Sequence, residues 1–451
     1  MARLSAALPD IAVALPQAHH LRDAGAEQRG QSGAAAAVVT PTTTAEVQSA
    51  VACCYSLGLP MVARGGGSGL AGGAVPAAGE VVFDLTGLDR VRSFEPELLR
   101  IHVEAGVRTA DVRRRARENG LLFPPDPGAA EQSTIGGNVA TNAGGPHALR
   151  YGATGAWVTE VEAVIAGGER IVVGGTNRKW VEGLDLRSLL VGSEGVLGIL
   201  TAVRLRLAPA PEAAWPVVAA FPSEEAGCDA VLDLIASGFP CSVLDFATEE
   251  AAGPTRDSFP GETPPAGFLL LLEVDGAEAE AMRLRLELLD LLAPLTSWTF
   301  APRDRAEIGA LWRWRDDMSL RLTAAHGGKV SEDVTVPVER LGEVLTGLRE
   351  IGRGLGIETA SWGHAGDGNL HAAFFADLAD PAQVALARRG GSEILELARE
   401  LGGALSGEHG IGAFKQRAMA ASTAQPLTAL MRQVRHAFDP EGLFNPGKAL
   451  P

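Results

Sequence analysis

With 451 residues the chain is too long for one ordinary hydrophobic core, so two domains are expected. A hydrophobic share of 46% and a charged share of 21% belong to a globular protein and exclude a disordered one. The net charge of −16 argues against nucleic acid as a partner, because phosphate backbones call for a basic face; it leaves room for a small anion in a locally basic pocket.

At the N-terminus, Pro9 and Asp10 interrupt the apolar stretch after a single Arg3, so no signal peptide is expected. Val38-Val39 reads as a short strand ending at Pro41. Thr43-x-x-Glu46 has capping-box spacing, and Val47, Ala50, Val51 and Cys54 follow at helical period until Gly58. Pro60 to Ala63 opens the next strand, completing a β-α-β pattern that delivers Arg64-Gly65-Gly66-Gly67-Ser68-Gly69 at a strand end. Further strands are expected at Val81 to Phe83, Ile101 to Val103, Val161 to Ile165 and Ile171 to Val173, with a helix over Asp111 to Asn119 stopped by Gly120. Leu207 to Pro211 has the proline spacing of a linker and marks a boundary near 211. Beyond it come strands such as Leu269 to Val274 and longer helices over Ala277 to Leu292 and Ala382 to Leu401. No apolar run approaches a membrane span, the longest being Phe268 to Leu272. Cys53, Cys54, Cys228 and Cys241 form no Cys-x-x-Cys, which points to reduced core thiols rather than a cluster or zinc ligand set.

Gly67-x-Gly69-x-x-Gly72 matches a dinucleotide fingerprint, but no helix opens from it, because Gly72-Gly73-Ala74-Val75-Pro76 keeps the chain in loop. The better reading is a nest of backbone N–H groups for an anion. Two more clusters of small residues follow, Ser133 to Gly145 and Gly192 to Ile199, the first led in by Pro124-Pro125-Asp126-Pro127. Three such clusters suggest backbone lining a large flat ligand, with a cofactor carrying a diphosphate and a fused ring as the economical candidate.

Three of nine histidines fall between His364 and His409. In Gly363-His364-Ala365-Gly366-Asp367-Gly368-Asn369-Leu370-His371 the central residues are turn formers, so His364 and His371 are expected to flank a turn and face each other. With Glu408 from Gly407-Glu408-His409-Gly410 they give an N,N,O set with open coordination positions, which Zn²⁺, Mn²⁺ and Fe²⁺ all accept. Any one of these histidines alone would more often be structural, but four polar residues in two glycine-flanked segments point to a metal. His409 need not ligate it and suits a general base beside a metal-bound alcohol.

Together these segments resemble a known family. Arg64-Gly-Gly-Gly-Ser-Gly-Leu, Gly136-Gly137-Asn138, Gly192-Ser-Glu-Gly and the run from Phe438-Asp439-Pro440 to Asn445-Pro446-Gly447-Lys448 resemble FAD-linked oxidases of the vanillyl-alcohol oxidase and p-cresol methylhydroxylase type. The two histidine motifs are similar to the branch holding the glycolate oxidase FAD subunit, D-lactate dehydrogenases and D-2-hydroxyglutarate dehydrogenases. The resemblance implies an α+β fold. A two-subdomain α/β FAD-binding domain would span residues 1–211, joined by the C-terminal segment 437–451, and an α+β cap domain with an antiparallel sheet and the metal site would span 212–436. It implies FAD contacts at Arg64, Gly65, Gly66, Gly67, Ser68, Gly69, Asp126, Ser133, Gly137, Asn138, Gly144, Glu194, Ile199 and Asn445, with the diphosphate on residues 65–69. It also implies His364, His371 and Glu408 as ligands of Zn or Mn, His409 as base, Asn369 as a substrate contact and Arg315 as a clamp whose planar fork suits a carboxylate.

Two departures refine this. Ser68 stands where some members carry the histidine that attaches FAD, which favours non-covalent FAD. Ser331 stands where hydroxyglutarate enzymes carry a lysine two residues before the aspartate of an Asp-x-x-x-Pro strand, here Asp333 to Pro337, which counts against a C5 diacid.

The implied activity is oxidation of a D-2-hydroxy acid (glycolate, D-lactate or D-2-hydroxyglutarate-like) to the 2-oxo acid by hydride transfer to flavin. The acceptor is open among an iron–sulfur subunit, an electron-transfer flavoprotein, a quinone and a cytochrome. Expected alongside are a cytoplasmic location or membrane association through such a partner, no transmembrane segment, no nucleic acid, and compatibility with a homodimer. The competing readings are a metal-independent sugar or lactone oxidase of the same fold, an accessory electron-relay flavin subunit, and a non-haem iron oxygenase using the same triad.

Overall fold

A computed structural model describes residues 2–451, which form two units: the chain up to Gly145 with Gly152–Ala210 and Glu408–Pro451, and Pro146–Tyr151 with Pro211–Gly407. In the first unit, β1 (Ala12–Ala14), β2 (Ala35–Thr40), β3 (Met61–Arg64) and β4 (Glu80–Asp84) form a sheet in the order β1-β2-β4-β3. β2 and β3 both pair with β4 in parallel, so a crossover must join them. That crossover is the helix Thr44–Leu57. Thr43 caps it by accepting the Glu46 amide at 3.2 Å, Glu46 accepts the Thr42 amide at 2.7 Å, and Gly58 ends it at φ 62°. Val47, Ala50, Val51 and Cys54 of this helix share a core with Val39, Val81 and Phe83.

A second sheet of this unit is antiparallel, formed by β5 (Val91–Glu95), β6 (Arg100–Glu104), β8 (Val158–Val164), β9 (Arg170–Gly174) and β10 (Ile199–Arg206) in the order β5-β6-β10-β8-β9. The short β7 (Leu121–Leu122) pairs with β11 (Ala208–Pro209), so the proline-spaced stretch read as a linker is pinned to the first unit. The chain from Glu408 onward also belongs to this unit, whereas the sequence reading assigned residues up to 436 to the cap. Its bonds give the reason. The Ile411 and Gly412 amides donate to the Glu194 carboxylate at 2.9 and 2.7 Å, and the Ala413 and Phe414 amides donate to the Ala71 carbonyl at 3.0 and 3.1 Å. The Arg29 guanidinium lies 4.6 Å from the centre of the Phe414 ring. Farther on, the Met61 amide donates to Leu443 and the Asn445 amide to Met61, both at 2.7 Å, fastening the C-terminal run to β3.

The second unit is built on seven strands: β12 (Ala213–Phe221), β13 (Val243–Ala247), β14 (Phe268–Gly276), β15 (Trp298–Phe300), β16 (Lys329–Thr335), β17 (Thr359–His364) and β18 (Asn369–Phe375). They lie in the order β15-β12-β14-β13-β17-β18-β16 and pair antiparallel throughout. β14 is buried from Phe268 to Asp275, which explains its unbroken apolar run: both faces are covered. On one face Val218, Ala247, Leu269, Leu271, Ala360 and Ala373 form a core with Leu311 and Trp314 of the helix Arg305–Asp316 and with Met318 and Leu322 of the helix Met318–His326. On the other, Phe246 stacks on Phe268 at 5.5 Å, and Gly390 of the helix Pro381–Glu400 lies so close to Phe374 that a Cβ would come within 2.5 Å of its ring. Each large apolar side chain buried this way contributes about 1.5–3 kcal/mol. Polar side chains on these faces therefore stand out.

Candidate functional site

Loop Gly65–Gly73 of the first unit leaves the end of β3. An added Cβ at Gly65 would sit 2.2 Å from Thr134 Oγ1, and one at Gly66 1.8 Å from the Gln132 carbonyl, so the loop packs on the capped start of the helix Ile135–Thr141. Gly67 has φ 70° and lies over the Arg64 guanidinium, whose Nη1 donates to the Arg22 carbonyl at 2.6 Å. Protein packing or backbone conformation explains those glycines. It does not explain Gly69, Gly73 and Gly137, which lack positive φ and whose added Cβ would find no protein atom closer than 3.8, 3.8 and 3.4 Å. Backbone left bare on an open side is what the close approach of a flat ligand calls for, and this cradle fits FAD.

The other expected cofactor residues gather around the same helix. The Gly192 and Glu194 amides donate to Val139 and Ala140 at 2.9 and 2.7 Å, which sets the third glycine cluster beside the end of Ile135–Thr141. Gly145 approaches Asp126 so closely that a Cβ would meet its Oδ1 at 2.5 Å, and Gly144 beside it is buried. Ser133 and Asn138 are buried and turn their side chains to Thr109, both at 2.7 Å, so they shape the helix start. Asn445 donates to the Gly73 and Glu194 carbonyls at 3.1 and 2.8 Å, joining two of the loops; Lys448 donates to its Oδ1 at 2.7 Å. Ile199 is buried opposite Val164 where β10 begins. Ser68 is partly buried in the first loop.

In the second unit the β17–β18 turn places His364 and His371 on one face, their ring centres 5.9 Å apart at 81°. His364 is 4% exposed, and its Nδ1 is 2.7 Å from Oδ1 of Asp245, its partner across β13. A carboxylate held on Nδ1 is the arrangement found where a carboxylate orients a metal-binding imidazole. Asp245 also accepts from Arg315 Nε and Nη2, at 2.8 and 2.7 Å, while Nη1 of Arg315 lies 3.3 Å from Asp316. Burial alone would raise the Asp245 carboxyl, but Arg315 and His364 outweigh it and hold it at about 2.

Across the turn, His371 faces Asp333 of β16, which is 0% exposed. Asp333 accepts from Asn369 Nδ2 at 2.6 Å, from the Ser406 hydroxyl at 2.6 Å and from the Gly407 amide at 2.9 Å. Asn369 Nδ2 also donates to the Val334 carbonyl at 2.9 Å, leaving its Oδ1 as the unspent end. Gly407 comes so near Asn369 that a Cβ would lie 2.1 Å from Nδ2. The next residue in the chain is Glu408. Glu408 and His409 open the last segment of the first unit, with His409 Nε2 3.7 Å from Glu408 Oε1.

Asp245 and Asp333 were missed by the sequence reading as functional residues. The available signal was a carboxylate inside an apolar strand, Val243-Leu244-Asp245-Phe246-Ala247, since aspartate is almost never fully buried unless paired. The cysteines carry no chemistry here: burial pushes the Cys54, Cys228 and Cys241 thiols up to about 12.

Two family models lie on either side of the boundary near residue 210, and the second runs on through the segment after Glu408. Residues 35–174 match an FAD binding domain, and residues 210–449 match the family described as FAD linked oxidases, C-terminal domain. Glycolate oxidase subunit GlcD of Escherichia coli (strain K12) is 34% identical over 417 residues, covering 92% of this chain and 83% of that protein. D-lactate dehydrogenase of Anaerostipes hadrus is 32% identical over 426 residues, covering 91% and 88%. The structure of p-cresol methylhydroxylase with substrate bound shares the fold, with a TM-score of 0.79 at 18% identity over 99% of this chain and 95% of that one. The architecture is thus an FAD-binding domain of the p-cresol methylhydroxylase type with an antiparallel-sheet cap.

Proposed function

The chain belongs to the family of FAD-linked oxidases, and on that premise we propose that it oxidises a D-2-hydroxy acid to the 2-oxo acid, using non-covalent FAD and a divalent metal. The observation that carries this reading is His364, presented beside His371 on the cap sheet with its Nδ1 fixed on buried Asp245. Among its relatives, one is named for glycolate and another for D-lactate, both small 2-hydroxy acids.

In this reading Arg64 to Gly69, Asp126, Ser133, Gly137, Asn138, Gly144, Glu194, Ile199 and Asn445 hold the cofactor, largely through backbone. His364 Nε2, His371 and Glu408 hold Zn or Mn. Support for Glu408 comes from its neighbour Gly407, whose amide is tied to Asp333, the cross-strand partner of His371. When bound, FAD supplies the two-electron acceptor for the C2 hydride, and the metal supplies a Lewis acid that lowers the pKa of the 2-hydroxyl. Arg315, aligned by Asp245 along its Nε edge, is the planar fork that pairs with the substrate carboxylate. Asn369 offers its Oδ1. His409 removes the proton from the 2-hydroxyl oxygen, so that loss of that proton and of the C2 hydride leaves the 2-oxo acid.

His409→Ala tests the assignment. It should slow anaerobic flavin reduction by at least about 100-fold while FAD stays bound. A rate within a few-fold of the parent would remove His409 from the role of base.

A further inference from the structure

Two buried carboxylates on the functional face of the cap sheet take no part in the chemistry above. Strand alternation puts Glu273 and Asp275 of β14 on the face that carries Asp245 of β13, along with Leu269 and Leu271. A buried carboxylate is almost never left without a partner, and each of these acids has a basic one. Asp245 has Arg315. Asp275 lies 3.1 Å from Arg150 Nη1 and accepts from the Tyr151 hydroxyl at 2.6 Å. Glu273 accepts from the Ser242 hydroxyl and from Trp312 Nε1, both at 3.2 Å, and its Oε1 is 2.8 Å from His147 Nε2. Of these three donors only the imidazole can carry a charge.

Glu273 stands beside the proposed carboxylate clamp. Val243 is directly opposite it and Asp245 lies two residues on, so the two acids are diagonal neighbours, a spacing of about 7–8 Å that long side chains span. The helix Arg305–Asp316 gives one residue to each of them, Trp312 to Glu273 and Arg315 to Asp245, close to one turn apart. His147 also lies against Trp312, with ring centres 5.7 Å apart, so the imidazole meets both members of the Trp312–Glu273 contact. The segment that brings it, Pro146–Tyr151, is held firmly in the cap unit. A Cβ on Gly366 would come within 2.6 Å of Leu149, and Arg150 Nη1 donates to the Pro240 carbonyl at 3.3 Å. For stability alone, apolar residues of similar size would serve as well as a buried ion pair. An anion arriving at Arg315 sets a different requirement: a Glu273 stripped of its imidazole would repel that anion and compete with it for the guanidinium.

We propose that His147 is a positioning residue for the substrate carboxylate. Through Glu273 and Trp312 it holds the turn of helix that carries Arg315, and it balances the carboxylate beside the clamp so that the guanidinium is left for the substrate. The proposal rests on the hydroxy-acid reading above, in which Arg315 takes the substrate carboxylate. His147 itself touches neither substrate nor cofactor in this scheme.

The test is calorimetric titration of the FAD-loaded, anaerobically reduced protein, whose flavin can take no further hydride, with glycolate and its neutral amide, glycolamide. Glycolate should bind at least about tenfold tighter than the amide, and His147→Ala should bring the two to within about twofold while FAD stays bound. His147→Gln, which keeps an N–H for Glu273 without the charge, should recover part of the preference. Trp312→Phe should lower it as well, and the double variant should lose no more than His147→Ala alone, because both side chains act through Glu273. A preference that survives in His147→Ala, or a variant that binds acid and amide equally weakened with their ratio intact, would overturn the proposal and leave the hydroxy-acid reading standing. If His147→Ala does not fold, Trp312→Phe is judged by the same ratio. A parent protein that binds acid and amide equally would reject the clamp itself, and the role of His147 with it.

Discussion

Asp245→Asn is the substitution whose consequences follow most directly from the geometry. The carboxylate is 3% exposed and holds two groups at once, the Arg315 guanidinium and His364 Nδ1. Taking one partner from a buried ion pair costs about 3–5 kcal/mol because the other charge stays buried. Arg315 is 16% exposed on its side chain and its Nη1 keeps Asp316 at 3.3 Å, so the lower end of that range applies, about 3 kcal/mol. Loss of the carboxylate also frees the His364 ring to change tautomer, and removing such an orienting partner lowers metal affinity about 10–100-fold. Urea unfolding of the FAD-loaded protein at pH 7 reads the first effect, and metal titration of the chelated protein followed by flavin reduction reads the second. A variant as stable as the parent with unchanged metal dependence would refute both the ion pair's energetic role and the place of His364 in a metal site.

The cradle and Lys329, a lysine buried on β16, give two further expectations. Gly69→Val should fold, since its Cβ meets no protein atom within 3.8 Å, yet purify with little FAD; full occupancy would mean the open side of that loop faces solvent and not the cofactor. Lys329→Met should stabilise the protein at pH 7, with the gain shrinking as pH rises from about 8 to 10.5. The sign follows from proton counting. The folded lysine titrates below the unfolded one, so in that window the unfolded chain binds more protons and the parent gains stability with pH, by about 3 kcal/mol in all. Stability curves for parent and variant that run parallel across that window would show that the ammonium is not paying a burial penalty.

What the sequence revealed was chemistry written locally. The capping box at Thr43 and Glu46, the stop at Gly58 and the turn around Gly368 depend on residues a few positions apart, and the same holds for the glycine loops and the two histidine motifs. What it hid depends on register. Asp245 lies 119 positions from His364 and meets it only because β13 pairs with β17, and Asp333 reaches Gly407 and Asn369 through β16 and β18. The sequence places the segment from Glu408 to 436 with the cap, and only its bonds to Glu194 and Ala71 assign it to the first unit. The side chains of Ser133 and Asn138 are tied to a buried threonine 24 and 29 positions away, a pairing that no local pattern announces.

The central claim is tested most directly by anaerobic absorbance titration of the FAD-loaded protein with D- and L-2-hydroxy acids, before and after chelation. The account predicts that a D-2-hydroxy acid bleaches the flavin band, that chelation abolishes the bleaching without releasing FAD, and that Zn²⁺ or Mn²⁺ restores it. A flavin band that no 2-hydroxy acid bleaches, or one bleached equally well by the chelated protein, would contradict it.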